Sequence, residues 1–158
     1  MALRTLSAAD IMTTRVILLR PEQDLFEVME LFIKHQISGA PVVDRSGRYL
    51  GVFTERTCIE LMVNAMSEGT PTNQIEPFID REAVTVDPDT DLLTIAHILK
   101  DTPYRRLPVI KFGKVVGLIS RRDVLKAAHR IMELEQPAKE TTFLYLSLIH
   151  DRSELSVG

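Results

Sequence analysis

The chain repeats its own pattern once, with corresponding residues 67 positions apart. The repeat is clearest when the segment from Pro21 is set against the segment from Pro88. The identical pairs are Pro21/Pro88, Asp24/Asp91, Leu25/Leu92, Pro41/Pro108 and Val42/Val109. After a turn that is one residue shorter in the second copy, Gly51, Thr54 and Arg56 correspond to Gly117, Ser120 and Arg122. A fixed internal period indicates one structural unit used twice.

We divide the chain on this basis into four parts. Residues 8–66 form repeat 1, residues 67–74 a linker, and residues 75–132 repeat 2; residues 133–158 form a C-terminal extension of unknown role. The linker is polar and contains Gly and Pro, as connections between units usually do. One copy is too small to bury both faces of a sheet, whereas two copies packed sheet to sheet would bury them.

Each repeat shows the same order of patterns: strand, helix, strand, strand, helix. The first strand of each repeat is predicted at 16–19 and 83–86. The next helix follows from apolar residues at helical spacing, and a tight turn between two apolar runs predicts a hairpin. In repeat 1 the helical stripe consists of Leu25, Val28, Met29, Phe32 and Ile33. The pattern predicts an α+β fold of the α/β type, with two β-α-β-β-α repeats, their sheets packed together and helices outside.

Charge argues against one broad class of partner. The net charge of −3 does not fit a general nucleic-acid binder. Residues 100–130 nevertheless hold nine Lys or Arg and two Asp, a local balance of +7. This region is either a solvated face or a site for a small anion such as phosphate.

The sequence gives little support for catalysis, for a disulfide or for a membrane-spanning segment. The single cysteine, Cys58, cannot pair within the chain and lies in a helical apolar pattern, which favours a core position. No apolar run approaches the roughly 18 residues of a membrane span, and no signal peptide is visible, so we expect a cytoplasmic protein. The histidines (His35, His97, His129, His150) have no metal-ligand spacing. With no phosphate-binding loop or nucleophile motif either, we expect no enzyme.

The stretch GLISRRD, from Gly117 to Asp123, has two interpretations. Ser120 stands where a strand ends and a helix begins, so it can cap the helix, with Asp123 three residues on completing a capping box. The same helix start offers free N–H groups to an anion, and the carboxylate could accept hydrogen bonds from two neighbouring hydroxyls, as in a ribose. In the first copy Thr54 keeps the cap, but Thr57 replaces the acid.

Taken together, these segments resemble the cystathionine-beta-synthase (CBS) domain, in the tandem pair called a Bateman module. The resemblance covers about Ala9 to His129. It rests on ADIMTTRVILL, on HQISGAPVVDRSGRYLGVFTERTCIELM and on YRRLPVIKFGKVVGLISRRDVLKAA. It implies two β-α-β-β-α repeats related by a pseudo-two-fold axis. It also implies a cleft between them for an adenosine-type regulatory ligand (AMP, ADP or ATP, with S-adenosylmethionine as a further candidate) and no required cofactor.

Carried over residue by residue, the resemblance implies one complete site. Repeat 2 supplies Leu118, Ser120 and Asp123, with Asp123 on the ribose hydroxyls. Repeat 1 supplies Thr14 and the loop Ile37, Ser38 and Gly39, which frames the base. The phosphates would meet Arg105 and Arg106, with Arg121 or Arg122 as further partners.

The pseudo-symmetric site would use Val52, Thr54, Arg81 and Tyr104, together with Thr57 and Arg105. A hydroxyl at Thr57 cannot replace a charged, two-pronged acceptor. Loss of one charge-assisted hydrogen bond costs about 1.5–3 kcal/mol, which is roughly ten- to hundredfold in affinity. We therefore expect a weak or empty second site.

The resemblance implies a nucleotide sensor that modulates a separate, unknown partner protein. The alternative is a ligand-free dimerisation or scaffold module, in which Ser120 and Asp123 only cap a helix. CBS pairs often form homodimers through their helices, and Met62, Val63 and Met66 would suit such an interface unless they pack within the chain. The tail from Pro137 contains TTFLYLSLI, which could be an added strand or a partner-binding segment.

Overall fold

The computed structural model describes residues 6–69 and 74–135. The predictions for the tail, for His150 and for residues 70–73 of the linker lie outside these residues. The helices are α1 (Ala8–Ile11), α2 (Leu25–His35), α3 (Glu55–Glu68), α4 (Leu92–Asp101) and α5 (Arg121–Leu134), and a 3-10 turn spans Glu76–Phe78. The strands are β1 (Gly39–Val43), β2 (Tyr49–Thr54), β3 (Arg106–Lys111) and β4 (Lys114–Ser120).

Two antiparallel hairpins form the sheets, β1 with β2 and β3 with β4. Their registers match: Val42 pairs with Gly51, Val109 pairs with Gly117, and each ladder shifts at the next residue. The predicted leading strands are reduced to one parallel bridge each, Leu19 to Val42 and Val86 to Val109. A proline two residues beyond each bridge has no amide hydrogen with which to continue the ladder. The predicted α+β class and the two repeats are confirmed.

Aspartates cap the N-termini of α2 and α4, the helices that follow these bridges. Asp24 Oδ1 accepts from Phe26 N at 2.9 Å, and Asp91 Oδ1 accepts from Thr94 N at 2.9 Å. The predicted stripe on α2 is buried at Val28 and Phe32, but Ile33 is 75% exposed. The apolar face is therefore narrower than the sequence pattern indicates.

The segment that leads into each repeat packs on the other repeat. We call residues 6–13 and 74–80 the leading segments. Ala8 lies in the core of repeat 2 with Ile95 and Ile119, whereas Ile75 and Ile79 lie in the core of repeat 1. The exchange places backbone from one repeat directly beside the hairpin of the other.

Two glycines make this exchange possible. A Cβ at Gly51 would overlap the Asp80 carbonyl oxygen and lie 2.7 Å from Ile79 Cγ2. A Cβ at Gly117 would overlap Met12 Sδ and lie 2.8 Å from its Cγ. The group that approaches Gly117 so closely is thus part of the protein, the side chain of Met12.

Candidate functional site

Two cavities lie where the hairpins of the two repeats face each other. The smaller has a volume of about 200 Å³ and the larger about 460 Å³. Gly39, Arg106 and Leu118 line both, so the cavities adjoin across shared walls. Each cavity therefore takes residues from both repeats, as the resemblance implies.

The start of α5 borders the smaller cavity. Ser120 Oγ accepts from Asp123 N at 3.1 Å, and Asp123 Oδ2 accepts from Ser120 N at 2.8 Å and from Ser120 Oγ at 3.0 Å. The predicted capping box is thus present. Among the described residues these bonds use only Oδ2, so Oδ1 of the half-buried Asp123 can still accept hydrogen bonds from a ligand.

The start of α3 borders the larger cavity and has no carboxylate at the corresponding position. Thr54 Oγ1 accepts from Thr57 N at 3.4 Å, and the two hydroxyl oxygens lie 3.2 Å apart. Val52, Thr54 and Thr57 line this cavity with Tyr104 and Arg105. The larger volume is therefore found at the site that the sequence predicted to be weaker.

The structure brings most of the predicted residues together but shifts one position in each site. Thr14 does not line the smaller cavity; its neighbours Thr13 and Arg15 do. In the same way Arg81 does not line the larger cavity, whereas Asp80 does. Thr13 bridges to Leu118 and Asp80 bridges to Val52, which holds both residues beside the cavity walls, whereas Thr14 lies in a bend and Arg81 in a turn.

The other predicted residues divide among the cavities. Ile37, Gly39, Arg106, Leu118, Ser120 and Asp123 line the smaller one. Ser38 and Arg105 line the larger one. Arg121 and Arg122 lie beside neither, and line an open groove of about 900 Å³ between α5 and the helices of repeat 1.

Asp80 is the site residue that the sequence reasoning missed. Its backbone exchanges two hydrogen bonds with Val52, of 3.0 and 2.8 Å. Its Oδ2 accepts from Tyr104 Oη at 3.0 Å, and its Oδ1 accepts from Glu82 N at 3.0 Å. The signal was available in the repeat, because Asp80 stands 67 residues after Thr13.

Burial and the Asp80 carboxylate both raise the pKa of two tyrosines, Tyr104 and Tyr49. Burial raises the pKa of Tyr104, and the hydrogen bond to Asp80 and the charge of Asp80 raise it further. Burial also raises the pKa of Tyr49 to about 12, with a smaller contribution from the charge of Asp80. Both phenols therefore stay protonated at neutral pH, and Tyr104 remains a hydrogen-bond donor.

Several arginines near the cleft form no ion pair within the described residues. Within residues 6–69 and 74–135, the ion pairs are Arg56–Glu60, Lys100–Asp101 and His129–Glu133. Arg105, Arg106, Arg121 and Arg122 take part in none of them. In the part of the chain that the structure describes, no carboxylate pairs with these guanidinium groups, and a planar fork suits phosphate oxygens.

The described residues give little support for a reactive thiol, a metal site or a membrane-spanning helix. Cys58 is buried, and burial raises its thiol pKa to about 11, which suits the predicted core position. Within the described ranges, His, Cys, Asp and Glu form no group of three that could hold a metal ion. None of the helices described is long and apolar enough to cross a membrane.

Comparison with known proteins gives a consistent match. The CBS domain model matches residues 8–64 and 75–130. An uncharacterized protein of Methanocaldococcus jannaschii is 30% identical over 117 residues, which cover 74% of this chain and 41% of that protein. The chain thus spans less than half of that relative.

Solved structures show the same fold. CBSX2 of Arabidopsis thaliana, in complex with AMP, has a TM-score of 0.73 and 26% identity, covering 80% of this chain and 98% of that one. The cytosolic domain of the Mg²⁺ channel MgtE, in complex with ATP, has a TM-score of 0.64 and 26% identity, covering 77% of this chain and 48% of that one.

Proposed function

The chain belongs to the CBS domain family, and from this premise we propose that it is a regulatory sensor for an adenosine-type nucleotide. The ligand binds in the cleft between the two hairpins, with its ribose on Asp123. The bound and free forms then differ in their affinity for a separate partner protein. AMP, ADP and ATP are the candidate ligands, and S-adenosylmethionine is a fourth.

One observation carries the proposal: the smaller cavity gathers complementary groups from both repeats. Asp123 offers a carboxylate oxygen for two vicinal hydroxyls, and Arg106 offers a guanidinium for phosphate. Ile37 and Leu118 offer apolar surface for a base. A nucleotide carries all three of these chemical groups within one small molecule.

The related structures support the choice of ligand. CBSX2 has been solved with AMP and the MgtE domain with ATP, each at 26% identity to this chain. The number of phosphates follows from how many of the arginines the ligand reaches. Arg105 and Arg106 border the cavities, whereas Arg121 lies further out beside the open groove.

Regulation requires that the ligand bind two states of the protein unequally. A nucleotide in this cleft would contact hairpins from both repeats and would favour the arrangement in which its contacts are complete. A partner protein that prefers the same arrangement would bind more tightly when the nucleotide is present. This reciprocity makes the coupling measurable from either ligand.

Isothermal titration calorimetry with AMP, ADP, ATP and S-adenosylmethionine tests the proposal. The informative variant is Asp123→Asn, because an amide oxygen can still accept from Ser120 N while the charge is lost. The matched control is Asp91→Asn, which alters a cap aspartate on α4 that lines none of the cavities described above. Both variants keep the volume of the side chain.

We expect micromolar binding of at least one of these ligands, weakened about ten- to hundredfold in Asp123→Asn. The Asp91→Asn control should bind as the wild type does. No binding by the folded wild type, or equal binding by wild type and Asp123→Asn, would contradict the proposed site.

A scaffold module is a second candidate, and one observation favours it. Apolar residues at helical spacing on α3 are exposed, with Met62 at 45%, Val63 at 57% and Met66 at 86%. Each is at least 45% exposed in the part of the chain that the structure describes, which leaves this face available to a partner. A second copy of the chain is the simplest partner for this face, and the two functions are compatible.

A further inference from the structure

Two lysines of the basic region found in the sequence have no place in the proposed nucleotide site. Lys111 ends β3 and Lys114 begins β4, whereas Arg106 and Ser120 stand at the other end of the same hairpin. The strand from Arg106 to Lys111 spans roughly 16 Å. Neither lysine lines the two cavities or the open groove. Nucleotide binding therefore does not account for the charge at this end of the hairpin.

The residue before β2 adds a cation from the other repeat. Arg48 forms an antiparallel bridge with Lys114, and Tyr49 N donates to the Gly113 carbonyl at 2.8 Å. A Cβ at Gly113 would lie 3.8 Å from Arg48 Nη2, so the guanidinium lies against the turn. Within residues 6–69 and 74–135, none of the ion pairs involves Arg48, Lys111 or Lys114. Three cations from the two repeats thus meet around one turn.

The turns of both hairpins are basic in a chain that is acidic overall. Residues 44–48 and 111–114 hold four Lys or Arg and one Asp, a balance of +3 in a chain of net charge −3. The acid, Asp44, accepts hydrogen bonds from Ser46 N, Ser46 Oγ and Arg48 N through Oδ1. Its carboxylate is thus engaged within its own turn, and Arg48 is exposed.

Phe112 stands between these cations. It is 92% exposed, and Lys111 Nζ lies 5.6 Å from the centre of its ring. Its φ of +52° lies in the left-handed region, which disfavours a bulky side chain. The other large apolar residues that are exposed in the described part of the chain lie on helices, apart from Leu18. An exposed aromatic residue in a strained conformation weakens the fold, and such outliers concentrate at functional positions.

We propose that this turn binds the surface of a membrane that contains anionic phospholipid. Arg48, Lys111, Phe112 and Lys114 form the contact, and we call them the tip patch. The ring of Phe112 enters the boundary between headgroups and acyl chains, while the three cations contact the anionic headgroups. A surface contact of this kind needs no membrane-spanning helix, and it does not depend on the proposed nucleotide site.

Area and shape favour a membrane over a protein partner. A stable protein interface buries about 800 Å² on each partner, with its apolar anchors fitted into pockets. The tip patch projects one ring from a two-residue turn, which is a small part of such an area. A fluid bilayer adapts to a projecting ring, and flexible Lys and Arg side chains keep their charges at the headgroups.

The expected binding is weak and depends on salt. Each cation near an anionic membrane strengthens binding about fivefold, and an inserted ring contributes a further factor of about ten. Together these factors predict half-maximal binding at about a millimolar of accessible lipid. Because the Debye length falls from roughly 10 Å at 0.1 M salt to roughly 3 Å at 1 M, the binding should be lost at high salt.

A tryptophan reporter tests the position of the patch. The chain contains no tryptophan, so Phe112→Trp introduces a single one, and tryptophan favours the membrane interface. Its emission should shift to the blue when vesicles of phosphatidylcholine with about a third phosphatidylserine are added, and brominated acyl chains in these vesicles should quench it. Vesicles of phosphatidylcholine alone should give no shift. Phe26→Trp is the matched control, because Phe26 is 68% exposed on α2, outside the tip patch, and should show neither effect.

Vesicle sedimentation measures the contribution of each group. We expect Phe112→Asn to bind about tenfold more weakly than the wild type, and Lys111→Gln/Lys114→Gln about twentyfold more weakly. The matched control is Lys100→Gln/Lys126→Gln, which removes the same charge from the same basic region and should bind as the wild type does. All these variants change exposed residues, and circular dichroism checks that each is folded.

Three results would overturn the inference. The first is no binding of the folded wild type to the anionic vesicles at low salt, and the second is binding that Phe112→Asn and Lys111→Gln/Lys114→Gln leave unchanged. The third is a shift of the introduced tryptophan with oligothymidylate or polyglutamate but not with vesicles, which would assign the patch to nucleic acid or to an acidic protein. None of these results bears on the calorimetry of the nucleotide site, so the two proposals fail separately.

Discussion

At the scale of single residues, each position can be compared with the corresponding position of the other repeat. Ser120 and Thr54 both cap a helix, but only Asp123 adds a carboxylate three residues later. The sequence was sufficient to predict the capping box and the contrast with Thr57. It placed the leading segment of repeat 2 at the second site through Arg81, and so missed Asp80 by one position.

The two glycines of the repeat should differ in their sensitivity to substitution. Gly51→Ala places a methyl group against the backbone of Asp80, at a φ of +154° that disfavours other residues. Gly117→Ala meets the side chain of Met12, which can rotate away. We expect a loss of about 3 kcal/mol in the free energy of unfolding for Gly51→Ala and about 1 kcal/mol for Gly117→Ala.

Urea denaturation of both variants measures this difference directly. Equal losses, or a larger loss for Gly117→Ala, would show that the leading segments are not held as described. Because Gly51 contacts the segment that carries Asp80, its variant should also disturb the larger cavity more than the smaller one.

At the scale of elements, the sequence predicted the helices and hairpins correctly, but not the extent of the first strand of each repeat. Apolar residues at helical spacing and the turn residues identified α2, α4 and both hairpins. The apolar runs 16–19 and 83–86 looked like strands, yet each forms a single bridge. The local pattern predicts an extended run but does not show how many of its residues find a partner strand.

The turn of the second hairpin places a bulky residue, Phe112, in a backbone conformation that favours glycine. Its two-residue loop, Phe112 and Gly113, has φ values of +52° and +75°. Glycine tolerates this conformation, whereas a bulky side chain is disfavoured in it by about 1–2 kcal/mol. Phe112 is 92% exposed, so burial does not offset the strain. Among the described residues a cation–π contact with Lys111, at 5.6 Å, is what favours it.

Phe112→Asn should therefore stabilise the protein, because asparagine accepts positive φ more readily. We expect a gain of about 0.5 kcal/mol after the weak exposed cation–π contact is lost. Thermal unfolding followed by circular dichroism measures the change. A lower midpoint in the variant would mean that Phe112 makes stabilising contacts outside the described residues.

At the scale of the whole molecule, the exchange of leading segments determines which residues line the cleft. Sequence identified two equivalent repeats, but the order of patterns is the same whether each segment packs on its own repeat or on the other. The choice follows from three-dimensional packing at Gly51 and Gly117. It also brings Thr13 beside Leu118 and Asp80 beside Val52.

The exposed face of α3 predicts self-association. Met66 is 86% exposed, so Met66→Glu should leave the fold intact while placing a charge in the proposed interface. We expect a dimer for the wild type and a monomer for the variant in size-exclusion chromatography with light scattering. The same substitution at Phe112, exposed on a turn, should leave the dimer unchanged. A monomeric wild type, or a dimeric Met66→Glu variant, would argue against this interface.

The account depends most on the claim that residues of both repeats form one nucleotide cleft. Chemical shifts of backbone amides, recorded during a titration with AMP, test this claim most directly. We predict saturable shifts for Ile37 to Gly39 in repeat 1 and for Ser120 to Asp123 in repeat 2, with the latter group lost in Asp123→Asn. Shifts confined to one repeat or to the outer helix faces, or no shifts at all, would contradict it.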